Sequence, residues 1–206
     1  MGYAGEPEDF TVPAADRFVP GIGAGTLLVA NTDLLEPTFR RSVVYIIEHG
    51  DEGTLGVVLN RPSETAVYNV LPQWADLVGK PKTVFVGGPV KRDAALCLAC
   101  VRTGVDPHDV AGLRQVQGRI ALVDLDADPE PIAAAVAGLR IFVGYSGWSV
   151  GQLDGEIARN DWIVVPAVPT DVLGAMPGTD LWGDVLRRQA MPLALLATHP
   201  IDVSRN

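Results

Sequence analysis

Long apolar runs are missing from the 206-residue sequence. Segments such as Thr26–Ala30 and Val43–Ile47 are only strand-sized, far short of the roughly 20 residues that a membrane-crossing helix needs. The opening stretch, MGYAGEPEDFTVPAADRF, has early acidic residues and no apolar core of a secretory signal. Glu6 also stands where a myristoylation signal requires Ser or Thr. A cytoplasmic protein without membrane association is therefore expected. Cysteine is scarce, with Cys97 and Cys100 the only two, and both are expected as thiols in a reducing compartment. Basic residues are outnumbered, 16 against 25 acidic, for a net charge of −9. The close pairs Arg40–Arg41, Lys80–Lys82, Lys91–Arg92 and Arg187–Arg188 are scattered along the chain. Nucleic-acid binders draw much of their affinity from neutralising phosphates, so direct nucleic-acid binding is disfavoured and a protein partner is expected.

What is present is a hydrophobic fraction of 48% in a chain of single-domain length. Residues 1–17 are rich in Glu, Asp, Pro, Ala and Gly without periodicity, which reads as a disordered acidic tail ahead of one domain over 18–206. Strands are predicted at Gly25–Ala30, Ser42–Glu48, Leu55–Leu59, Thr83–Val86, Ala94–Arg102, Arg119–Leu125, Leu139–Tyr145 and Asp161–Val165. Asp33–Phe39 reads as a turn or short helix. His49–Thr54 reads as a hairpin loop, and Val105–Gln117 as a loop with little regular structure. Apolar residues spaced by three and four predict an amphipathic helix over Thr65–Val78, with Pro72 kinking it or starting a second short helix. Further helices are predicted at Asp128–Gly138, Val150–Arg159 and Thr179–Gln189, before a last apolar segment at Leu193–Ala197. Strands in adjacent pairs and strands separated by helices together imply an α+β fold with a mixed or largely antiparallel sheet.

Three motifs suggest chemistry. Gly21-Ile22-Gly23-Ala24-Gly25 has the glycines of a dinucleotide loop but precedes a strand instead of opening a helix, so it reads as a flexible lead-in. Cys97-Leu98-Ala99-Cys100 has redox or zinc spacing but lies within an apolar strand, where residues three apart face opposite ways. No second ligand pair accompanies it, so no metal and no cofactor are expected. Gly144-Tyr145-Ser146-Gly147-Trp148 nearly matches a nucleophile elbow, with Trp148 in place of the last glycine. With His49, His108 and His199 the only histidines, a serine hydrolase is the least favoured reading, and an enzyme of any kind is not the first one.

The stretch after Ser146 has a structural reading of its own. Ser149 and Gln152 fit a capping box, with Ser149 accepting from the Gln152 amide and the Gln152 side chain returning to the Ser149 N–H. Trp148 and Leu153 fit the accompanying hydrophobic staple, and Asn160 suits a left-handed residue after the helix. Glu156 and the Gly144–Gly147 turn are left without a structural role. With strand-end turns at Asn60-Arg61 and Gly87-Gly88, they suggest a ligand pocket built from Asn60, Arg61, Gly87, Gly88, Ser146, Trp148, Gln152 and Glu156.

Several blocks taken together resemble the AlgH/YqgE family of bacterial proteins. They are Gly25–Ala30, Phe39–His49, Gly56–Pro62, Val84–Val90 and Gly144–Trp148, followed by Gly151-Gln152-Leu153, Glu156, Asn160 and Trp162. The resemblance covers about residues 25–165, with Asn31-Thr32 departing from the proline-containing turn usual in the family. It implies a compact α+β domain whose sheet bends toward a barrel with flanking helices. It also implies a proposed role in regulating transcription of exopolysaccharide genes, without a helix-turn-helix and without catalytic residues to carry over. The expectation is a non-enzymatic regulatory or interaction protein, possessing a small-molecule or enzymatic pocket as the alternative.

Overall fold

A computed structural model describes residues 21–174 and 178–199. The acidic tail read at 1–17, and the start of order near Phe18, lie outside the described residues. β1 (Thr26–Ala30) is buried on both sides, because Leu27 and Val29 join one core while Leu28 and Ala30 join another. Its near-continuous apolar run follows from that position. It pairs antiparallel with β2 (Val43–Gly50) and with β10 (Trp162–Pro166). β2 turns tightly into β3 (Gly53–Val58), with Gly50 opposite Gly53 and a bulge between Ile46 and Glu48. The strands run further into the predicted loop than expected, leaving Asp51-Glu52 as its tip.

β9 (Val136–Trp148) is the spine of the fold. Its first part pairs with β6 (Val90–Val101) and its last residues with β3. β5 (Thr83–Val86) lies parallel to it at Phe85–Phe142 and Val86–Val143. β8 (Ile120–Val123) and β7 (Leu113–Gln117) extend the sheet beyond β6, giving the order β10-β1-β2-β3-β9-β6-β8-β7. The α+β class and the largely antiparallel, mixed sheet agree with the sequence reading.

The sheet curls until its far strand returns to its beginning. Arg114 on β7 reaches Glu48 on β2 at 2.7 Å. Gln117 packs on Gly25, where an added Cβ would lie 2.5 Å from the Gln117 Cβ. Gly25 also has φ +85°, a conformation that disfavours any side chain. Gly25→Ala is therefore expected to destabilise by about 1–3 kcal/mol, measured by urea unfolding; wild-type stability would refute this account of the seam.

The half-barrel interior holds Leu27, Tyr45, Phe85, Leu98, Ile120 and Phe142. α4 (Pro169–Leu173), α5 (Leu181–Arg187) and α6 (Leu193–Leu196) cap it, with Val172, Trp182 and Leu186 in the same core. On the outer face, α3 (Gln152–Ala158) covers β1, β2 and β10 through Leu153. α2 (Pro129–Ala135) and the segment before β5 cover the β6–β9 half through Ile132, Trp74 and Val67. Arg140 is fully buried within β9; it donates to the Lys80 and Leu173 carbonyls and lies 4.2 Å from the Phe85 ring centre. Burial pushes its pKa down to about 10, leaving it cationic at neutral pH.

The helix expected at Thr65–Val78 does not form. The chain instead makes β4 (Pro62–Ala66), a four-residue α1 (Val67–Val70) and a 3-10 turn at Pro72–Trp74. Pro72 disfavours helical backbone at the preceding residue, and Leu71 sits at φ −141°, ψ 66°. Pro72 does start a second short helix, as the alternative reading held. Val67 and Trp74 are buried, but Val70 is 52% exposed, so the apolar spacing marks two anchor points rather than a face. Val105–Gln117 also departs from expectation, containing a 3-10 turn at Pro107–Asp109 and all of β7. Its polar sequence, LRQVQ, suits a sheet edge and gives no apolar run.

Candidate functional site

Cys97 and Cys100 fall in different cores, one on each side of β6. Both are free and buried, and burial pushes the Cys97 thiol well above its ordinary range. Neither is expected to react with Ellman's reagent in the native protein, and both should react in denaturant; rapid native labelling would overturn this. Among the described residues, no group of three or more His, Cys, Asp or Glu could hold a metal ion.

Ser146 is fully buried, and its hydroxyl donates to the Gly87 carbonyl at 3.1 Å. A nucleophile elbow needs an exposed hydroxyl beside a base. The His49 ring instead meets Thr54 Oγ1 at 2.7 Å, and the His108 ring meets Gln115. Ser146 thus ties β9 to the Gly87-Gly88 turn, and the hydrolase reading loses its nucleophile. Gly87 also accepts from Val58 N and donates to the Val143 carbonyl. A Cβ at Gly88 would collide with Tyr145 and Ser146 backbone, so the glycines permit a close backbone crossing.

Asn60 is a clamp between strands, accepting from Val43 N at 3.0 Å and donating to the Arg41 carbonyl at 2.8 Å. Arg61 donates to the Arg40 and Asn60 carbonyls, and burial lowers its pKa. These two residues follow the end of β3 opposite to Thr54, which pairs with Trp148. Six residues at about 3.3 Å each place them roughly 20 Å from that pair. Neither side chain is hydrogen-bonded to Trp148, Gln152 or Glu156.

Trp148, Gln152 and Glu156 do come together. Glu156 Oε2 accepts from the indoles of Trp148 and Trp162, both at 2.8 Å. Its Oε1 accepts from Gln152 at 3.1 Å. The two indoles meet edge-on at 6.0 Å, and Phe39 packs on both. Glu156 therefore fastens α3 to β9 and β10, a role visible only once Trp162 is brought alongside. The capping box forms only in half. Ser149 N–H donates to Gln152 Oε1 at 3.1 Å, but the Ser149 hydroxyl also donates to Gln152, and Gly151 at φ +73° begins the helix. Trp148 and Leu153 share one core, although with the helix beginning at Gly151 they no longer stand at the staple's positions, and Asn160 at φ 62° is the left-handed terminus expected.

The open concavity lies at the mouth of the half-barrel, and of the predicted ligand residues only Trp148 lines it. It is a groove of about 400 Å³ between the β2–β3 hairpin and the end of β9, lined by Glu48, Glu52, Leu55, Val90, Tyr145 and Gly147 among others. Glu48, Leu55 and Gly147 stand side by side across three strands. Gly147, without a side chain, leaves the hollow in that row. A smaller cleft of about 180 Å³ on the other side of the hairpin is lined by His49, Asp51, Thr54 and Asp154 among others. Apart from the Gly144–Trp148 motif, the sequence reading singled out none of the groove residues for binding; only their non-local register assembles them.

The AlgH-like family model matches residues 27–194. A UPF0301 protein of Mycobacterium tuberculosis is 71% identical over 201 residues, covering 98% of this chain and 97% of that one. Another, from Mycolicibacterium vanbaalenii, is 69% identical over 206 residues and covers 100% of both. Among solved structures, a Corynebacterium diphtheriae protein is 41% identical with a TM-score of 0.83, over 87% of this chain and 93% of that one. The solution structure of AlgH from Pseudomonas aeruginosa is 28% identical with a TM-score of 0.61, over 86% and 94%. With the family signature running through nearly every core element, this chain belongs to the AlgH-like family.

Proposed function

We propose that this chain is a non-enzymatic cytoplasmic interaction protein that regulates through a protein partner, so that any effect on transcription reaches DNA indirectly. The observation that carries this reading is how the candidate polar side chains are used. Asn60, Arg61, Ser146, Gln152 and Glu156 all hold strands or helices to one another. These contacts account for the five side chains structurally, without calling on a role as acid, base or nucleophile. The net charge of −9 argues in addition against a phosphate-binding surface. No helix among the described residues is long and apolar enough to cross a membrane.

The test is affinity capture with cross-linking from cells carrying the protein at native level. A stoichiometric protein partner is expected, together with no DNA mobility shift at physiological salt. Tight, sequence-specific DNA binding by the purified chain would overturn the proposal.

A further inference from the structure

We infer that the groove at the barrel mouth receives an extended partner segment, seating an apolar side chain over Gly147 and a basic one against Glu48 and Glu52. The inference rests on the proposed interaction role and specifies where and with what chemistry it acts.

Three observations converge on this occupant. The first is an open strand edge. β6 pairs with β9 no further than Val90–Tyr145, while β3 continues along the other side to Trp148. Among the described residues, no strand pairs with Gly147-Trp148 on the side away from β3. Free backbone next to a shaped groove is what strand addition uses, since main-chain hydrogen bonds supply affinity and pockets read alternate side chains.

The second is the apolar hollow. Leu55 and Tyr145 are only partly buried where they pack against the interior core, and Val90 is likewise half-buried. Gly147 between them is exposed. A Cβ there would meet the Tyr145 ring at 3.5 Å and Val90 Cγ2 at 3.9 Å, which is ordinary contact. The backbone at Gly147 is not among the positive-φ glycines. Glycine here is thus not required by the fold, and the space it leaves matches an incoming side chain.

The third is charge. The lining contains two carboxylates and no cation. Arg114 reaches Glu48 from the seam, but both side chains remain more than half exposed, so that pair is weakly held. Lys91 and Arg92, next after Val90, are exposed but do not line the groove. A basic residue two positions from the buried apolar one, on the same face of an extended segment, therefore finds complementary charge at the hairpin lip.

The same lack of strain at Gly147 provides the test. Gly147→Leu fills the hollow and should leave the melting temperature near wild type. Full-length protein is titrated, by fluorescence anisotropy, with labelled nine-residue peptides that carry serine at the even positions and, alternating along the odd positions that share one face, leucine and arginine, leucine and glutamate, or glycine and arginine. Saturable one-to-one binding of the leucine–arginine peptide is expected, at least tenfold tighter than either of the others. Gly147→Leu, and the double variant Glu48→Gln with Glu52→Gln, should each weaken it at least tenfold. Glu64→Gln with Glu130→Gln, exposed acids outside the groove lining, should leave it unchanged. Absence of saturable binding, equal binding of glycine–arginine, indifference to Gly147→Leu, or equal loss in the control variant would each overturn the inference. If a cellular partner is captured equally by wild type and Gly147→Leu, the groove assignment fails while the interaction role survives. If the full chain captures no protein and binds DNA specifically, it is the interaction role that fails.

Discussion

Trp182→Ala is expected to lower the unfolding free energy by about 3–5 kcal/mol, the range for truncating a buried aromatic residue. The indole is 1% exposed and belongs to the half-barrel interior. Its Nε1 donates to the Ala30 carbonyl at 2.7 Å, 152 residues away in sequence. The Arg41 guanidinium lies 3.9 Å from the ring centre and holds Asp180, just before α5, at 2.9 Å. Trp182 thus joins α5 to β1, and alanine would leave both a cavity and an unmet carbonyl. Trp182→Phe keeps most of the apolar burial but not the donor, so a loss of about 1–3 kcal/mol is expected. Urea unfolding followed by far-UV circular dichroism measures both. A loss under about 1 kcal/mol for Trp182→Ala, well below the range for such sites, would mean that α5 is not docked on the sheet as described.

Glu156→Leu should cost about 2–4 kcal/mol, because two indole donors and the Gln152 amide lose one carboxylate together. Glu156→Gln retains an acceptor oxygen and should cost about 1 kcal/mol, the usual size of a single neutral hydrogen bond. Tryptophan emission reports the site directly, since Trp148 and Trp162 are both its partners. A red shift in the leucine variant, alongside earlier unfolding in guanidinium, is the expected signature. Wild-type stability with unchanged emission would remove Glu156 from the structural role assigned to it. The contrast also bears on function, since the two indole donors give this carboxylate a structural role of its own.

Much of the fold was legible because apolar β-branched runs report burial directly. Val43–Ile47, Val84–Val86 and Leu139–Val143 read as strands without knowledge of their neighbours. Reading failed where local pattern and tertiary demand separated. β4 and β7 are polar strands, PSETA and LRQVQ, and their pairing comes from β5 and β8 rather than from their own composition. Thr65–Val78 carries helical spacing, yet Pro72 and the pairing of β4 with β5 divide it into anchors for separate places.

The proposed ligand residues show the same division. They were read as the lining of a pocket at strand-end turns, and several make internal hydrogen bonds instead: Asn60 between β2 and β3, Ser146 under Gly87, Glu156 beneath two indoles. The groove that does open depends on register. Glu48, Leu55 and Gly147 become neighbours only when β2, β3 and β9 pair.

Class, most strand positions and the burial of the two cysteines were written in the sequence alone, because burial and periodicity are local properties of the chain, and its motifs carried the resemblance to the family. Which polar groups are spent and which surface stays open were decided by tertiary structure. A hydrogen bond or a hollow needs two partners, and here those partners lie as many as 158 residues apart.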